Sequence, residues 1–212
     1  MQQQYLAVAK HVRQYLESSQ SRQQGIRRTA RFRWRHTLRV LATAREIGKA
    51  EGANIEIVEL AALLHDIAKL DPRSQQVHHA ILGSQMAAEY LEQLGMTQQK
   101  VQRVAEAVRY HSYDTHRDGL ALETLVLKDA DRLDEVGALD ILQAGMQAGE
   151  RSMDYRESHM QGLKQLKHMR NVPFFTATGR RMVAQRLKIM EDFWRQAEAE
   201  LAGEEMPPYG KI

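Results

Sequence analysis

Apolar positions along most of the chain recur at intervals of three and four. Leu38, Leu41, Ala42 and Ile47 mark one such stripe, Ile81, Met86, Tyr90, Leu91 and Leu94 a second, and Val101, Val104, Ala105 and Val108 a third. That spacing keeps one face of a 3.6-residue helix apolar. Between Pro72 and Pro173 there is no proline, and the stretch is rich in Ala, Leu, Glu, Gln, Lys and Arg, all good helix formers. No run alternates β-branched residues as a half-buried strand does. Residues 122–127 pass for a short strand, but they flow into the helical pattern of 128–135.

Stop signals divide the pattern. Gly52 closes a segment that starts near Arg27, Asp71-Pro72 closes 55–70, and Gly95 closes a segment from about Val77. Asn54 is placed to cap the helix that starts at Ile55, and Asp154 with Glu157 reads as a capping box. The fold class predicted is all-α, a single-domain helical bundle with short loops over 25–202. An N-terminal helix within 3–18 and a polar connector occupy 1–24, and residues 203–212, with Pro207, Pro208 and Gly210, read as a tail. The ten methionines scattered at helical spacing are expected as gap-fillers of the core.

Composition narrows the chemistry. The 212 residues contain no cysteine, which excludes disulfides, thiol nucleophiles, iron–sulfur clusters and thiolate zinc sites. Any metal must then sit on histidine and carboxylate, ligands suited to manganese, magnesium, iron, nickel, cobalt or zinc. The longest apolar stretch, 57–64, is far short of the ~20 residues that span a bilayer. No basic-then-apolar leader opens the chain, so a cytoplasmic protein without membrane association is expected. Thirty basic against 27 acidic residues give a net charge of +3, too mild to imply a nucleic-acid protein. The basic residues are clustered, however: Arg22, Arg27, Arg28, Arg31, Arg33, Arg35 and Arg39 have no acidic residue among them. They form either a solvated helix face or a site that attracts polyanions.

Histidine placement carries the chemical signal. His65-Asp66 follows Leu63-Leu64 at the end of an apolar helix, where two ionisable groups must reach the surface or find partners inside. Neighbours on a helix lie about 100° apart, so one ion near the helix end can take both side chains. Lys69 falls on the same face, four residues from His65 and three from Asp66. His36 lies on a helix upstream, Asp131 in Asp129-Ala130-Asp131-Arg132-Leu133-Asp134 downstream, and His79 and His111 between. Most lie beside the apolar stripes of separate helices, and a helix bundle can converge such side chains on an interior metal site.

The series His36, His65-Asp66, Asp131 resembles the signature of the HD-domain metal-dependent phosphohydrolases. It is most similar to a small bacterial branch that includes nucleotide pyrophosphohydrolases. The shared phrases are Leu63-Leu64-His65-Asp66-Ile67, the run from Asp129 to Asp134 with Gly137-Ala138, and Thr178-Gly179-Arg180 through Ala184, Arg186 and Met190. The resemblance spans roughly 30–202. It implies that His36, His65, Asp66 and Asp131 are the ligands of one divalent metal, with His79 and His111 holding a second ion or contacting substrate phosphate. One ion and two ions both fit the pattern. Lys69 stands where some HD nucleotidases carry a glutamate, which suggests phosphate contact. The glycine-tyrosine-proline motif of cyclic-dinucleotide phosphodiesterases is missing after His111.

The activity implied is hydrolysis of a nucleotide phosphoanhydride or phosphoester, foremost a (deoxy)nucleoside triphosphate to monophosphate and pyrophosphate. The alternatives are a nucleoside monophosphate phosphatase and a dinucleoside tetraphosphate hydrolase. A divalent ion on such ligands lowers the pKa of bound water and offsets phosphoryl charge. Lys69 and Arg39 are the candidate phosphate cations; Asp134 is a candidate support of the ligands, a base or a surface residue, and Arg132 a candidate support with Asp129 or Glu135 within reach as partners. A non-enzymatic reading is a nucleic-acid module built on the arginines of 22–39, with Phe32 and Trp34 stacking on bases. Both aromatics lie just before His36 on the predicted helix and are expected in the core. The cluster then reads as local positive charge near a phosphate site, and a nucleic-acid partner is not expected. His11, His159 and His168 are expected at the surface or a pocket rim and His116 in a loop. Tyr110 and Tyr113 either line a base pocket or pack.

Overall fold

The computed structural model describes residues 2–19, 25–112 and 119–204. Expectations for Arg22, Tyr113, His116 and the tail from 205 onward fall outside the described residues. Nine α-helices occur among those described: α1 (Gln2–Ser18), α2 (Ala30–Glu51), α3 (Ile55–Leu64), α4 (His79–Gln93), α5 (Gln98–Tyr110), α6 (Leu122–Leu133), α7 (Ala138–Glu150), α8 (Tyr155–Asn171) and α9 (Ala177–Leu201). Short 3₁₀ turns fill Ile26–Arg28, Pro72–Gln75 and Ala202–Glu204. The fold is all-α, and residues 122–127 are helix rather than strand. None of these helices is long and apolar enough to cross a membrane. Contacts divide the chain into two compact units, Met1–Asp134 with Phe174–Arg180, and Glu135–Pro173 with Arg181–Ile212.

In the first unit α3 is the central post. Residues 57, 58 and 60–64 are all buried, and a helix apolar all round belongs inside others. It packs against α1, α2, α5 and α6. Its Asn54 cap accepts from the Ile57 amide at 3.3 Å. The Gly52 stop of α2 adopts the left-handed conformation at φ 75°, which a side chain would disfavour.

The helix expected over 55–70 ends at Leu64. The reason lies in His65: its Nδ1 is 2.7 Å from the Ala62 carbonyl, the acceptor that a continuing helix would offer to the Asp66 amide. The chain then tightens into i→i−3 turns, Ile67 to Leu64, Lys69 to Asp66 and Asp71 to Ala68. Asp71, nearly buried, accepts from the Tyr15 hydroxyl of α1, and also from the Arg73 amide at 2.8 Å and Arg73 Nε at 3.0 Å. Those bonds, the Arg73 guanidinium first among them, push Asp71 down to about 2.

The first unit recruits the later segment Phe174–Arg180 through one buried carboxylate. Asp129, fully buried, accepts from the Phe175 amide at 2.9 Å, the Thr176 amide at 2.8 Å and the Thr176 hydroxyl at 2.7 Å. Gly179 sits directly against that carboxylate, where a Cβ would collide with it. In the second unit α8 begins with the expected capping box of Asp154 and Glu157. Gly162 of α8 leaves room for the Trp194 indole.

Burial corrects several expectations about single residues. The inner face of α2 is Arg33, His36, Thr37, Val40, Leu41, Ala44, Ile47 and Gly48, so Phe32 and Trp34 are half-buried flanks, and Ala42 of the expected stripe is exposed. His159, expected at the surface or a rim, is buried with Nε2 3.0 Å from the Trp194 carbonyl. His11 stacks on Tyr90 at 3.7 Å, whereas His168 is exposed. Met169 and Met190 are core residues, but Met146 and Met160 are exposed.

These contacts set the stability of two variants. Gly179→Ala forces the Asp129 clasp apart and should cost about 1–3 kcal/mol, read as a lower urea midpoint. Because its folded pKa is depressed, Asp71 contributes stability above about pH 4 that fades as the pH falls toward 2. Asp71→Asn should therefore lose stability at pH 7 and narrow its gap to the parent at pH 3, in denaturant melts at both pH values.

Candidate metal centre

Four elements of the first unit converge their polar groups. The inner face of α2 presents Arg33 and His36, the turn after α3 presents His65, Asp66 and Lys69, and α6 presents Asp131. The start of α4 supplies His79, and the end of α5 adds His111 as a fifth contribution. His36 Nε2 lies 3.1 Å from His65 Nε2 and 3.2 Å from Asp131 Oδ1, and His65 Nε2 lies 3.7 Å from that same oxygen. Asp66 faces two ways. Its Oδ2 is 3.7 Å from His36 Nε2 and 3.9 Å from His65 Nε2, whereas its Oδ1 is 3.4 Å from His79 Nε2 and 3.8 Å from His111 Nε2. The potential ligand atoms thus form two groups, His36, His65 and Asp131, and Asp66, His79 and His111, each within 4.8 Å.

The histidines are oriented from behind. His36 Nδ1 is 2.7 Å from Asp134 Oδ2, His65 Nδ1 is 2.7 Å from the Ala62 carbonyl, and His111 Nδ1 is 2.6 Å from the Val108 carbonyl. With Nδ1–H donating to each oxygen acceptor, every Nε2 turns inward, the atom through which imidazoles bind metals. Two Nε2 atoms and a carboxylate oxygen within about 4 Å need positive charge among them, either a proton on His36 or a cation. The shortest spacings, 3.1 and 3.2 Å, match the ~3.0–3.4 Å edges of a coordination polyhedron with ~2.1 Å bonds, and the others are a few tenths of an ångström longer. The residues fit a divalent ion.

Electrostatics point the same way. Burial alone would lower His36, but hydrogen bonds to Asp131 and Asp134 and the charges of Asp131 and Asp66 lift it to about 9, so its ring is protonated near neutral pH and a bound ion would displace the Nε2 proton. Burial pushes His65 down to about 4 and His79 down to about 3, so both rings are neutral. Burial would raise Asp66, yet Lys69, His65, His111 and Arg33 outweigh it and hold the carboxylate well below its usual range. Asp131 is depressed likewise, against its burial, by His36 and His65.

The surrounding residues divide into supports and approaches. Arg39 places Nε 2.7 Å and a second nitrogen 2.8 Å from the Asp134 carboxylate, a bidentate fork. Lys69 Nζ lies 3.0 Å from His79 Nε2 and 3.7 Å from Asp66 Oδ1. The Arg132 guanidinium is nearly buried over the Phe175 ring, 5.2 Å from its centroid. It attracts Asp129, whose pKa is raised by burial and pulled back by its hydrogen bonds and by Arg132. Tyr110 offers its carbonyl to Lys128.

Two buried cations have roles that the sequence pattern does not show. Arg33 donates to Asp66 Oδ2 at 2.9 Å and to the Arg27 carbonyl at 2.8 Å. Lys128, 1 % exposed, donates to the Tyr110 carbonyl at 2.8 Å and so ties α6 to the end of α5 that carries His111. The available signal is position: Arg33 lies one turn before His36, and Lys128 one turn before Asp131–Arg132.

Comparison with known proteins fits this geometry. The HD domain family model matches residues 33–136. The Bacillus subtilis (strain 168) protein YpgQ is 30% identical over 182 residues, covering 80% of this chain and 84% of YpgQ. The chain belongs to the HD domain family. A crystal structure of a predicted HD superfamily hydrolase from an uncultured Thermotogales bacterium has a TM-score of 0.67 at 26% identity and covers 92% of each chain. YpgQ in complex with ADP matches with a TM-score of 0.66 at 27% identity, covering 93% of this chain and 100% of that one. This HD-family chain is a metal-dependent hydrolase.

Asp134 holds His36 in register, and outer partners of this kind contribute about 10–100-fold to metal affinity. Asp134→Asn in metal-stripped protein should weaken manganese binding by that factor in a calorimetric titration. Unchanged affinity would show that His36 needs no such support.

Proposed function

We propose that the protein hydrolyses a nucleotide phosphoanhydride, converting a (deoxy)nucleoside triphosphate to monophosphate and pyrophosphate. The observation that carries the reading is Asp66, whose two oxygens face separate histidine groups with Lys69 alongside. His36, His65, Asp66 and Asp131 would hold one divalent ion, with manganese the first to test. His79 and His111, with the second oxygen of Asp66, are placed to hold another. A divalent ion in such a site supplies Lewis acidity toward phosphoryl oxygen and acidifies water.

The chain's own groups supply the rest. Lys69 Nζ lies among Asp66 and His79, where its ammonium can meet a phosphate oxygen and stabilise charge that grows in the transition state. Arg39 is about one-third exposed beyond its fork on Asp134, so its outer edge can meet a more distant phosphate while it steadies His36 through Asp134. Arg33 neutralises Asp66 from behind and holds it still. The ADP complex of the relative YpgQ supports a nucleotide as the ligand class, and we place the enzyme with the nucleotide pool of the cytoplasm.

Purified protein with manganese, incubated with a panel of nucleotides, tests the reaction. Triphosphates should yield monophosphate and pyrophosphate. Inorganic phosphate from monophosphates, or paired diphosphates from dinucleoside tetraphosphates, would replace this reading with one of its two enzymatic alternatives, and no turnover of any nucleotide would sink it. Lys69→Ala should lower kcat/KM about 10–100-fold, the effect of one charge-assisted contact.

A further inference from the structure

The outer face of α2 is built differently from its inner one. Arg31 and Arg35, four residues apart, are both exposed, and like charges at that spacing cost a helix a few tenths of a kcal/mol. No acidic residue follows in α2 until Glu46. Between this face and α1 lies a cavity of about 480 Å³ lined by Arg13, Glu17, Ala30, Arg31, Trp34 and Arg35. Glu17, the carboxylate of that lining, is bonded to Arg13 Nε at 2.9 Å. Among the lining residues, Arg31 and Arg35 therefore have no further carboxylate to answer them. The half-buried Trp34 contributes an aromatic wall.

We propose that this groove is a second nucleotide-binding site, separate from the metal centre, in which Trp34 stacks on the base and Arg31 and Arg35 hold the phosphates. The chemistry matches part for part. An indole face accepts any base by stacking, and guanidinium groups pair bidentately with phosphate oxygens. The volume lies in the range of small-molecule sites and suits one nucleotide rather than a track for a polymer. The metal centre takes Arg33 and His36 from the inner face of the same helix, so Trp34 and Arg35 sit between residues committed to the other site. Occupancy of the groove would thus bear on the helix that carries a metal ligand. The groove's ligand does not depend on the proposed reaction.

The protein has two tryptophans, so Trp194→Phe leaves Trp34 as the only indole reporter. With EDTA present to keep divalent ions from the metal centre, ATP should quench Trp34 fluorescence saturably. Arg31→Glu/Arg35→Glu should weaken that binding about 10–100-fold, while His65→Ala should leave it intact. Quenching absent in a folded protein, or lost with His65→Ala and kept with Arg31→Glu/Arg35→Glu, overturns the proposal. So does tighter binding of an oligothymidylate of about twelve nucleotides than of ATP, which would mark a nucleic-acid track. If Trp194→Phe does not fold, equilibrium dialysis of radiolabelled ATP in EDTA against the parent and the arginine double variant decides the matter: equal binding by the two overturns the proposal, and weaker binding by the double variant supports it.

Discussion

Burying a carboxylate among helices costs several kcal/mol unless each oxygen is answered, and Asp66, 3 % exposed, is the group around which the first unit is arranged. Arg33 reaches it from α2, Lys69 from its own turn, and imidazoles from α2, the end of α3, α4 and the end of α5 surround it. Most of these partners are themselves held by a further contact, Arg33 on the Arg27 carbonyl, His36 on Asp134, His65 on Ala62 and His111 on Val108. A centre assembled from five elements keeps its geometry because its outer partners are mostly backbone carbonyls, which do not change rotamer.

The same device shapes the helices. α3 and α5 both stop at a histidine whose Nδ1 takes the carbonyl three residues back. The bond that orients the ring is also the bond that denies the helix its next acceptor, so ligand placement and helix termination are one event.

Much of this is legible in the residues. The period of apolar positions marks the helices, Gly52 and Gly95 mark stops, and the order His36, His65-Asp66, Asp131 marks the centre. The differences have physical causes. The end of α3 comes six residues before the expected one because Asp71-Pro72 is a louder stop than a histidine that bonds its own helix. Phe32 and Trp34 are expected inside because they are aromatic, whereas Arg33 takes the inner face to neutralise Asp66. A buried cation such as Lys128 has no local signature, because the carbonyl it answers lies at the end of another helix. The pairing of Asp134 with both His36 and Arg39 spans nearly a hundred residues and is invisible to spacing.

The Asp129 clasp gives the chain an order in time. A ribosome has delivered all six potential ligands once Asp131 emerges, yet the amides that satisfy Asp129 belong to residues 46 and 47 positions further on. The intervening 135–173 belong to the other unit. During synthesis, then, the half that carries the candidate centre waits with the Asp129 carboxylate short of its hydrogen-bond donors until the excursion has been made and the chain returns. Any truncation just after α6 would retain every candidate ligand and still lack the donors that let α6 close over its own buried charge.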